Sequence, residues 1–315
     1  MHSFSLKYFL LPALFLLLIS CRKTSEPRAD YHTENIIVLV IDGARYSETW
    51  GDPEHRFIPV TAGELAGEGV INTQFYNNGP TYTLAGHTSI TTGFYQEIDN
   101  SGAVLPDHPS VFQYWNREVA APSEQSWIIT SKDKLAVLTN CQDTAFKYCY
   151  MPSCNCGVNG PGSGYRDDSL TLEVVFNVLK EKKPHLLLIN LRDPDYSAHT
   201  TNWKYYIQGI QKTDRYAGQL LKFIRTNPYY KDKTTLFVTN DHGRHLDSIP
   251  GGFSSHGDQC EGCRHIFLYA YGPDFKKGVI TDVKRELPDI TATISELLHI
   301  HMANDSGKVM RELFK

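Results

Sequence analysis

The chain lacks any apolar run long enough to cross a membrane as a helix. Its longest uninterrupted stretch, Phe9 to Ile19, falls well short of the roughly 20 residues that a spanning helix needs. It also lacks a block of basic residues. Its 31 Lys and Arg against 35 Asp and Glu give a net charge of −4, which argues against a nucleic-acid polymer as the main partner. No internal repeat and no low-complexity tract breaks it. With 41% hydrophobic and 21% charged residues, the chain has the composition of a globular protein with a substantial core. The 315 residues fit one large α/β domain or two smaller domain-equivalents.

The apolar stretch has the length of a secretory h-region. Lys7 precedes it in a short polar start, and Leu18-Ile19-Ser20-Cys21 closes it. This resembles a bacterial lipoprotein signal, in which the cysteine becomes the lipidated N-terminus. The alternative is a plain signal peptide followed by a free or disulfide-bonded Cys21. Residues 1–20 are therefore expected to be a leader. Residues 21–34, polar and containing Pro27, read as a tether. The protein would be exported and held at a membrane by a lipid anchor at Cys21, facing the periplasm or cell surface. The chain has 7 cysteines. Beyond Cys21 they fall into two clusters: Cys141, Cys149, Cys154 and Cys156, then Cys260 and Cys263. In an oxidising compartment disulfides are expected. The alternative is a structural zinc site built from Cys260-x-x-Cys263 and the first cluster, which requires reduced thiolates.

Strand-like and helix-like segments alternate along the rest. Ile36–Ile41, Trp127–Thr130, Leu186–Leu191, Thr235–Thr239 and His265–Ala270 are apolar runs of strand length. Thr171–Lys183 puts Val174, Val175, Val178 and Leu179 on one helical face, capped by Asp168 or Ser169. Asn202–Arg225 repeats that pattern. Pro288–Ile300 is a third helix, with Pro288 where a missing N–H costs nothing. Such alternation predicts an α/β fold with a mostly parallel central sheet and helices on both faces. Residues 35–315 are read as a single catalytic domain. Residues 140–166, rich in Cys, Gly, Pro and Asn, are read as an irregular insertion pinned by disulfides.

Several strands end in residues that bind metals. Ile36–Ile41 runs into Asp42-Gly43; Leu186–Leu191 is followed by Asp193, Asp195 and His199; Thr235–Thr239 is followed by Asn240, Asp241, His242 and Gly243. Open α/β sheets hold ligands at the carboxyl ends of their strands. A buried carboxylate there needs a cation or hydrogen-bond donors; a lone Asp42 would more often be a turn or cap residue. Asp195 and His199, four apart, share one helical face. Asp193 reads as a solvated loop charge. Asp241 and His242 can both face one ion if the backbone turns sharply, which Gly243 permits. His256, in Ser254-Ser-His-Gly257, lies in a loop that can fold back over the site, with His245 and His265 as rivals. Thr83 heads a predicted helix in Pro80-Thr-Tyr-Thr-Leu-Ala-Gly-His87. It is the candidate nucleophile, activated by a metal and by the anion-binding N–H groups of the helix start. Thr81 and Thr88 are local rivals, and a simple helix cap is the alternative role.

In combination these segments resemble the alkaline phosphatase superfamily, nearest its nucleotide pyrophosphatase/phosphodiesterase branch. The resemblance runs from about Asn35 to Ile300 and includes Asp289-Ile-Thr-Ala-Thr-Ile-Ser-Glu-Leu-Leu298 as a late helix. It implies two zinc ions: Asp42, Thr83, Asp241 and His242 around one, and Asp195, His199 and His256 around the other. It also implies an oxyanion donor after the nucleophile helix, for which Asn100 is the candidate; a turn asparagine beside Gly102 is the alternative. The branch usually has Pro-Asn where this chain has Ala85-Gly86, a departure that bears on substrate preference. No Cys-x-Pro-x-Arg type sequence of sulfatases is present.

The expectation is a two-metal phosphoric ester hydrolase, a phosphodiesterase or nucleotide pyrophosphatase acting through a phospho-threonine. The alternatives are a phosphomonoesterase, a phosphoryl transferase of the same fold, and a non-enzymatic lipid-anchored binding protein. The expected partner is a small phosphate ester, with nucleotides among the candidates. The aromatic stretches Tyr76–Tyr82 and Tyr196–Tyr206, with Arg45, Arg244 and Arg264, are candidate pocket walls.

Overall fold

Alternation along the first strand builds a sheet buried on both faces. Ile36, Val38 and Val40 join one apolar cluster, and Ile37, Leu39 and Ile41 the other. The computed structural model describes Met1, residues 30–303 and residues 306–315. The expected leader and the Cys21 anchor lie outside the described residues. Residues Tyr31–Lys315 pack as one unit.

In chain order its elements are β1 (Asn35–Ile41), β2 (Val70–Tyr76), α1 (Thr83–Thr92), α2 (Val111–Glu118), β3 (Ser126–Thr130), β4 (Ser153–Cys156), α3 (Asp168–Glu181) and β5 (Leu186–Leu191). They continue with α4 (Asp195–Ala198), α5 (Trp203–Thr226), β6 (Thr234–Thr239), α6 (Glu261–Arg264), β7 (His265–Tyr271), β8 (Val279–Thr281), β9 (Arg285–Glu286) and α7 (Pro288–Leu297). The sheet order is β4-β3-β5-β1-β6-β7-β2-β8, with β9 also paired to β2. Strands β4, β3, β5, β1 and β6 are parallel, and β7 is antiparallel to both β6 and β2. The mostly parallel α/β sheet expected from the alternation is therefore what forms. Helices α1, α2 and α7 contribute Leu84, Val111, Phe112, Ile290 and Ile294 to one face. Helices α3 and α5 contribute Val175, Leu179, Tyr206, Ile210 and Leu220 to the other.

Strand polarity decides where chemistry can gather. Because β1, β3, β5 and β6 run together, their exits lie on one edge. Strand β2 is reversed twice relative to β6 through β7, so it also exits there and delivers α1 to that edge. Strand β7 runs the opposite way, so the loop before it, 254–264, starts from the same edge. No helix among the described residues is long and apolar enough to cross a membrane.

Two local expectations need correction. The cap of α3 is Asp167, whose side chain accepts from the Ser169 N–H; Asp168 instead bonds Ser131 Oγ at 2.6 Å and the Arg192 N–H at 2.8 Å. The cysteines at 141, 149, 154, 156, 260 and 263 are all free thiols, not disulfides. The 140–166 segment also holds β4, which adds an edge strand to β3. Side-chain amides pin the segment: Gln113 Nε2 reaches the Phe146 and Cys149 carbonyls at 3.0 Å each, and Asn116 Nδ2 the Tyr150 carbonyl at 2.9 Å.

Candidate active site

Every candidate residue arrives at the shared edge. Asp42 follows β1, Asp241 and His242 follow β6, and all three are fully buried. Their ligand atoms lie within 4.8 Å of one another, as do those of Asp195, His242 and His256. His199 Nε2 is 3.3 Å from Asp195 Oδ1 and 3.3 Å from His256 Nε2. Thr83, first residue of α1, sets its Oγ1 3.5 Å from Asp42 Oδ1. Asn100 folds back over the start of α1: its Oδ1 accepts the Leu84 N–H at 3.0 Å and Lys134 Nζ at 2.9 Å. The Asn100 amide NH2 is not used in these two bonds. His242 belongs to both groups, so the two implied ligand sets are not spatially separate.

Two glycines let the pieces close. Gly43 has φ +67°, and a Cβ there would meet Asp195 Cβ at 2.8 Å. At Gly86 a Cβ would sit 2.5 Å from the Asp241 carbonyl oxygen. The Ala85-Gly86 departure is thus where α1 lies directly on the Asp241 backbone. Gly243 serves otherwise than expected. It is needed because the Gly262 carbonyl oxygen would lie 2.1 Å from its Cβ, not for a sharp turn with positive φ.

The electrostatics suit cations. His242 Nδ1 faces the Gly243 carbonyl at 2.8 Å, and His256 Nδ1 faces the Thr81 carbonyl at 2.9 Å. A carbonyl only accepts, so in each ring Nδ1 holds the proton and Nε2 presents a lone pair, the arrangement of a metal-binding histidine. Burial pushes His242 down to about 3 and His256 down to about 4, although neighbouring carboxylates oppose this. Both rings are therefore neutral. His242 Nε2 and Asp241 Oδ2 are buried without a hydrogen-bond partner, and His242 Nε2 lies 3.5 Å from both Asp42 Oδ1 and Asp241 Oδ2. Lone pairs facing carboxylates without intervening protons are costly unless a cation joins them. The donor set therefore fits metal ions.

Sequence reasoning missed Lys132. Its fully buried Nζ lies 2.7 Å from Asp195 Oδ2, 2.9 Å from Asp42 Oδ1 and 3.0 Å from Thr83 Oγ1. Burial works against its charge, but Asp195, Asp42 and Asp241 outweigh burial and raise its pKa. Burial also penalises the Asp195 carboxylate, yet Lys132, His199 and Arg244 hold it well below the usual range. The signal was present: Lys132 and Lys134 follow β3 as Asp42 follows β1. Lys132→Met is expected to lower kcat by about 10²–10³-fold, the size of losing one preorganised donor to developing charge, with metal content unchanged. Loss of activity only in step with loss of folded protein would make Lys132 purely structural.

Two of the candidate pocket-wall arginines are tied up internally. Arg45 bonds Glu48 at 2.5 Å and Asp247 at 2.8 Å, and Arg244 bonds Asp195 and the Phe253 and Ser254 carbonyls. Arg264 bonds Asn78. Asp193 turns to Ser197 Oγ at 2.7 Å and stands outside both groups. His265 stacks between Tyr46 and Tyr76. The site mouth carries exposed Tyr82, Tyr165 and Tyr196, the last two in edge contact with ring centroids 6.4 Å apart.

Residues 128–302 match the family model described as Metalloenzyme superfamily. The chain belongs to that superfamily. The match begins in β3 and takes in Lys132, Asp195, His199, Asp241, His242 and His256. Human ectonucleotide pyrophosphatase/phosphodiesterase family member 1 is 24% identical over 247 residues, covering 71% of this chain and 25% of that protein. The chain thus spans about a quarter of the length of this relative. Among solved structures it is similar to the phosphonate monoester hydrolase of Silicibacter pomeroyi, with TM-score 0.64, 14% identity, and coverage of 89% of this chain and 76% of that one. It is equally similar to an inactive form of murine ectonucleotide pyrophosphatase/phosphodiesterase 5 in complex with AMP, with TM-score 0.64, 14% identity, and coverage of 90% and 100%. These likenesses establish the alkaline-phosphatase-like fold in the Metalloenzyme superfamily. By name, these similar proteins are a nucleotide pyrophosphatase/phosphodiesterase and a phosphonate monoester hydrolase.

Proposed function

We propose that the protein is a two-zinc phosphodiesterase or nucleotide pyrophosphatase that works through a phospho-threonine at Thr83. The observation that carries this is the position of Thr83 Oγ1, at the head of a buried helix, beside Asp42 and Lys132, among histidines that present unprotonated Nε2 atoms. Asp42, Thr83, Asp241 and His242 would hold one ion, and Asp195, His199 and His256 the other, with His242 close to both. Bound there, the ions supply Lewis acidity that lowers the pKa of a hydroxyl or water and stabilises charge on phosphoryl oxygens.

The chain's own groups then have distinct tasks. Lys132 donates to Thr83 Oγ1 and favours its ionised form. The Thr83 hydroxyl gives up its proton to solvent, Thr83 Oγ1 attacks phosphorus, and the P–O bond to the leaving group breaks, its oxygen taking a proton from solvent to leave as the alcohol. The Asn100 amide and the positive N-terminal end of α1 receive a non-bridging oxygen. Water next attacks the phospho-Thr83 phosphorus, and Thr83 oxygen leaves. Tyr82, Tyr165 and Tyr196 offer faces on which a nucleobase can stack, in keeping with the AMP complex of the murine neighbour. The lipid anchor at Cys21 would hold this chemistry at a bacterial membrane, facing the periplasm or cell surface.

One observation favours a second reading. Lys132 and Lys134 both reach the head of α1, a concentration of positive charge that suits a dianionic monoester. Comparing kcat/KM for p-nitrophenyl phosphate with the corresponding diester, on the soluble form beginning after Cys21, separates the two. We expect the diester to be preferred. Preference for the monoester would make the protein a phosphatase.

A further inference from the structure

Behind the catalytic edge lies a second set of ligand-type side chains that shares no residue with the first. His245, Asp258, Cys260 and Cys263 each offer one ligand atom, and these atoms lie within 4.8 Å of one another. We propose that they bind a third, structural zinc ion.

Four features carry this. His245 Nδ1 faces the Pro250 carbonyl at 2.8 Å, so that nitrogen holds the proton and Nε2 presents its lone pair, as in His242 and His256. His245 Nε2 is buried without a hydrogen-bond partner, yet it lies 3.1 Å from Asp258 Oδ2. Asp258 Oδ1 is committed to the Cys260 N–H at 2.9 Å, which aims Oδ2 into the cluster. Cys260 and Cys263 are free thiols, the latter fully buried. Two thiolates, an imidazole and a carboxylate match the borderline-soft character of zinc. Tetrahedral zinc sets its ligand atoms about 3.3–3.8 Å apart, from bond lengths of about 2.0–2.3 Å, so only a small contraction is needed. Four protein ligands leave no open position, which makes the site structural.

The connections explain what such an ion would do. The His245 N–H bonds the Ser255 carbonyl at 2.9 Å, and the Gly243 N–H bonds the Cys263 carbonyl at 2.7 Å. Thr81 Oγ1 bonds the Asp258 carbonyl at 2.7 Å. The ion would fasten the segment after β6, which carries Asp241 and His242, to the loop that carries His256. Both would be pinned against the start of α1. The earlier expectation of a zinc site joining Cys260 and Cys263 to the 140–166 cysteines is replaced by one whose partners are His245 and Asp258.

Cobalt(II) added to the reduced, metal-free full chain tests this. Thiolate-to-cobalt charge transfer absorbs in the near ultraviolet, and a centre of carboxylates, imidazoles and a hydroxyl cannot produce it. We expect the band to reach the intensity of one thiolate-bound cobalt per chain, whatever further cobalt the catalytic centre takes, to be displaced by zinc, and to vanish in the Cys260→Ser/Cys263→Ser variant. Asp258 is half-exposed, so Asp258→Asn should fold. It should bind zinc at this site roughly tenfold or more weakly, with the metals of the catalytic centre still counted. Absence of the band in the reduced wild-type protein overturns the proposal. So does a Cys260–Cys263 disulfide, found by peptide mapping under non-reducing conditions, that zinc present during production does not prevent. These outcomes are read from metal and thiols, so they stand whether or not the proposed esterase activity is found.

Discussion

Thr83→Ala is expected to lose turnover by roughly 10⁴–10⁶-fold, the scale seen when a covalent nucleophile is removed, while the protein stays folded and keeps its metals. The hydroxyl is the group that attacks, so nothing nearby can replace it: Thr81 donates to the Asp258 carbonyl, and Thr88, one turn on, is buried within α1. Metal retention follows from the rest of the donor set. Asp42, Asp241 and His242 remain grouped without Thr83, and Lys132 Nζ keeps Asp42 and Asp195 as partners. Loss of the two hydrogen bonds of Thr83 Oγ1, to Asp42 and from Lys132, costs about 0.5–1.5 kcal/mol each, too little to unfold a domain of this size. Thr83→Ser should retain most activity, because the oxygen keeps its place. The comparison needs kcat/KM for the diester and zinc per chain for all three proteins. Normal turnover in Thr83→Ala would remove the threonine from the mechanism; loss of zinc together with activity would make it chiefly a ligand.

The parts of this fold that were legible in the sequence are those where burial on both faces leaves an unbroken apolar run. Strands β1, β3, β5, β6 and β7 sit within a residue or so of the runs that foretold them, and the ligand-bearing residues follow them because the exits of parallel strands converge. Strand β2 was not legible. Asn72-Thr73-Gln74 interrupts its apolar character, and its register with β7 shifts between Asn72 and Phe75. Thr83 was therefore placed by its helix alone, without the strand that delivers it. Lys132 was passed over for a different reason. A lysine after a strand looks like a solvated charge, and only the converging carboxylates make its burial tolerable. Asn100 reaches the head of α1 because residues 93–100 turn back, a path that spacing along the chain does not encode. Cysteine clusters behind an expected leader read as disulfides; Cys260 and Cys263 are instead free thiols, and their neighbours His245 and Asp258 come beside them only in three dimensions.

Asp241→Asn isolates charge from shape at the centre of the site. Asp241 Oδ1 accepts the Gly43 N–H at 3.2 Å and the His242 N–H at 3.0 Å. An asparagine can place its carbonyl oxygen there and keep both bonds, so the junction of the segments after β1 and β6 survives. What changes is Oδ2, buried without a hydrogen-bond partner and facing His242 Nε2 across 3.5 Å. An amide there brings two donors and no negative charge, and a donor cannot ligate a cation. Asp241→Asn should therefore fold, lose one metal per chain, and lose activity by more than the roughly 10–100-fold typical of changes outside the ligand shell. Asp193→Asn is the control. Asp193 lies on the same edge and is also buried, but its carboxylate is turned to Ser197 and Lys212, so metal content should be unchanged. Zinc per chain after gel filtration, with circular dichroism to confirm the fold, decides between them. Full zinc occupancy in Asp241→Asn would take Asp241 out of the ligand set and leave its buried Oδ2 without a role.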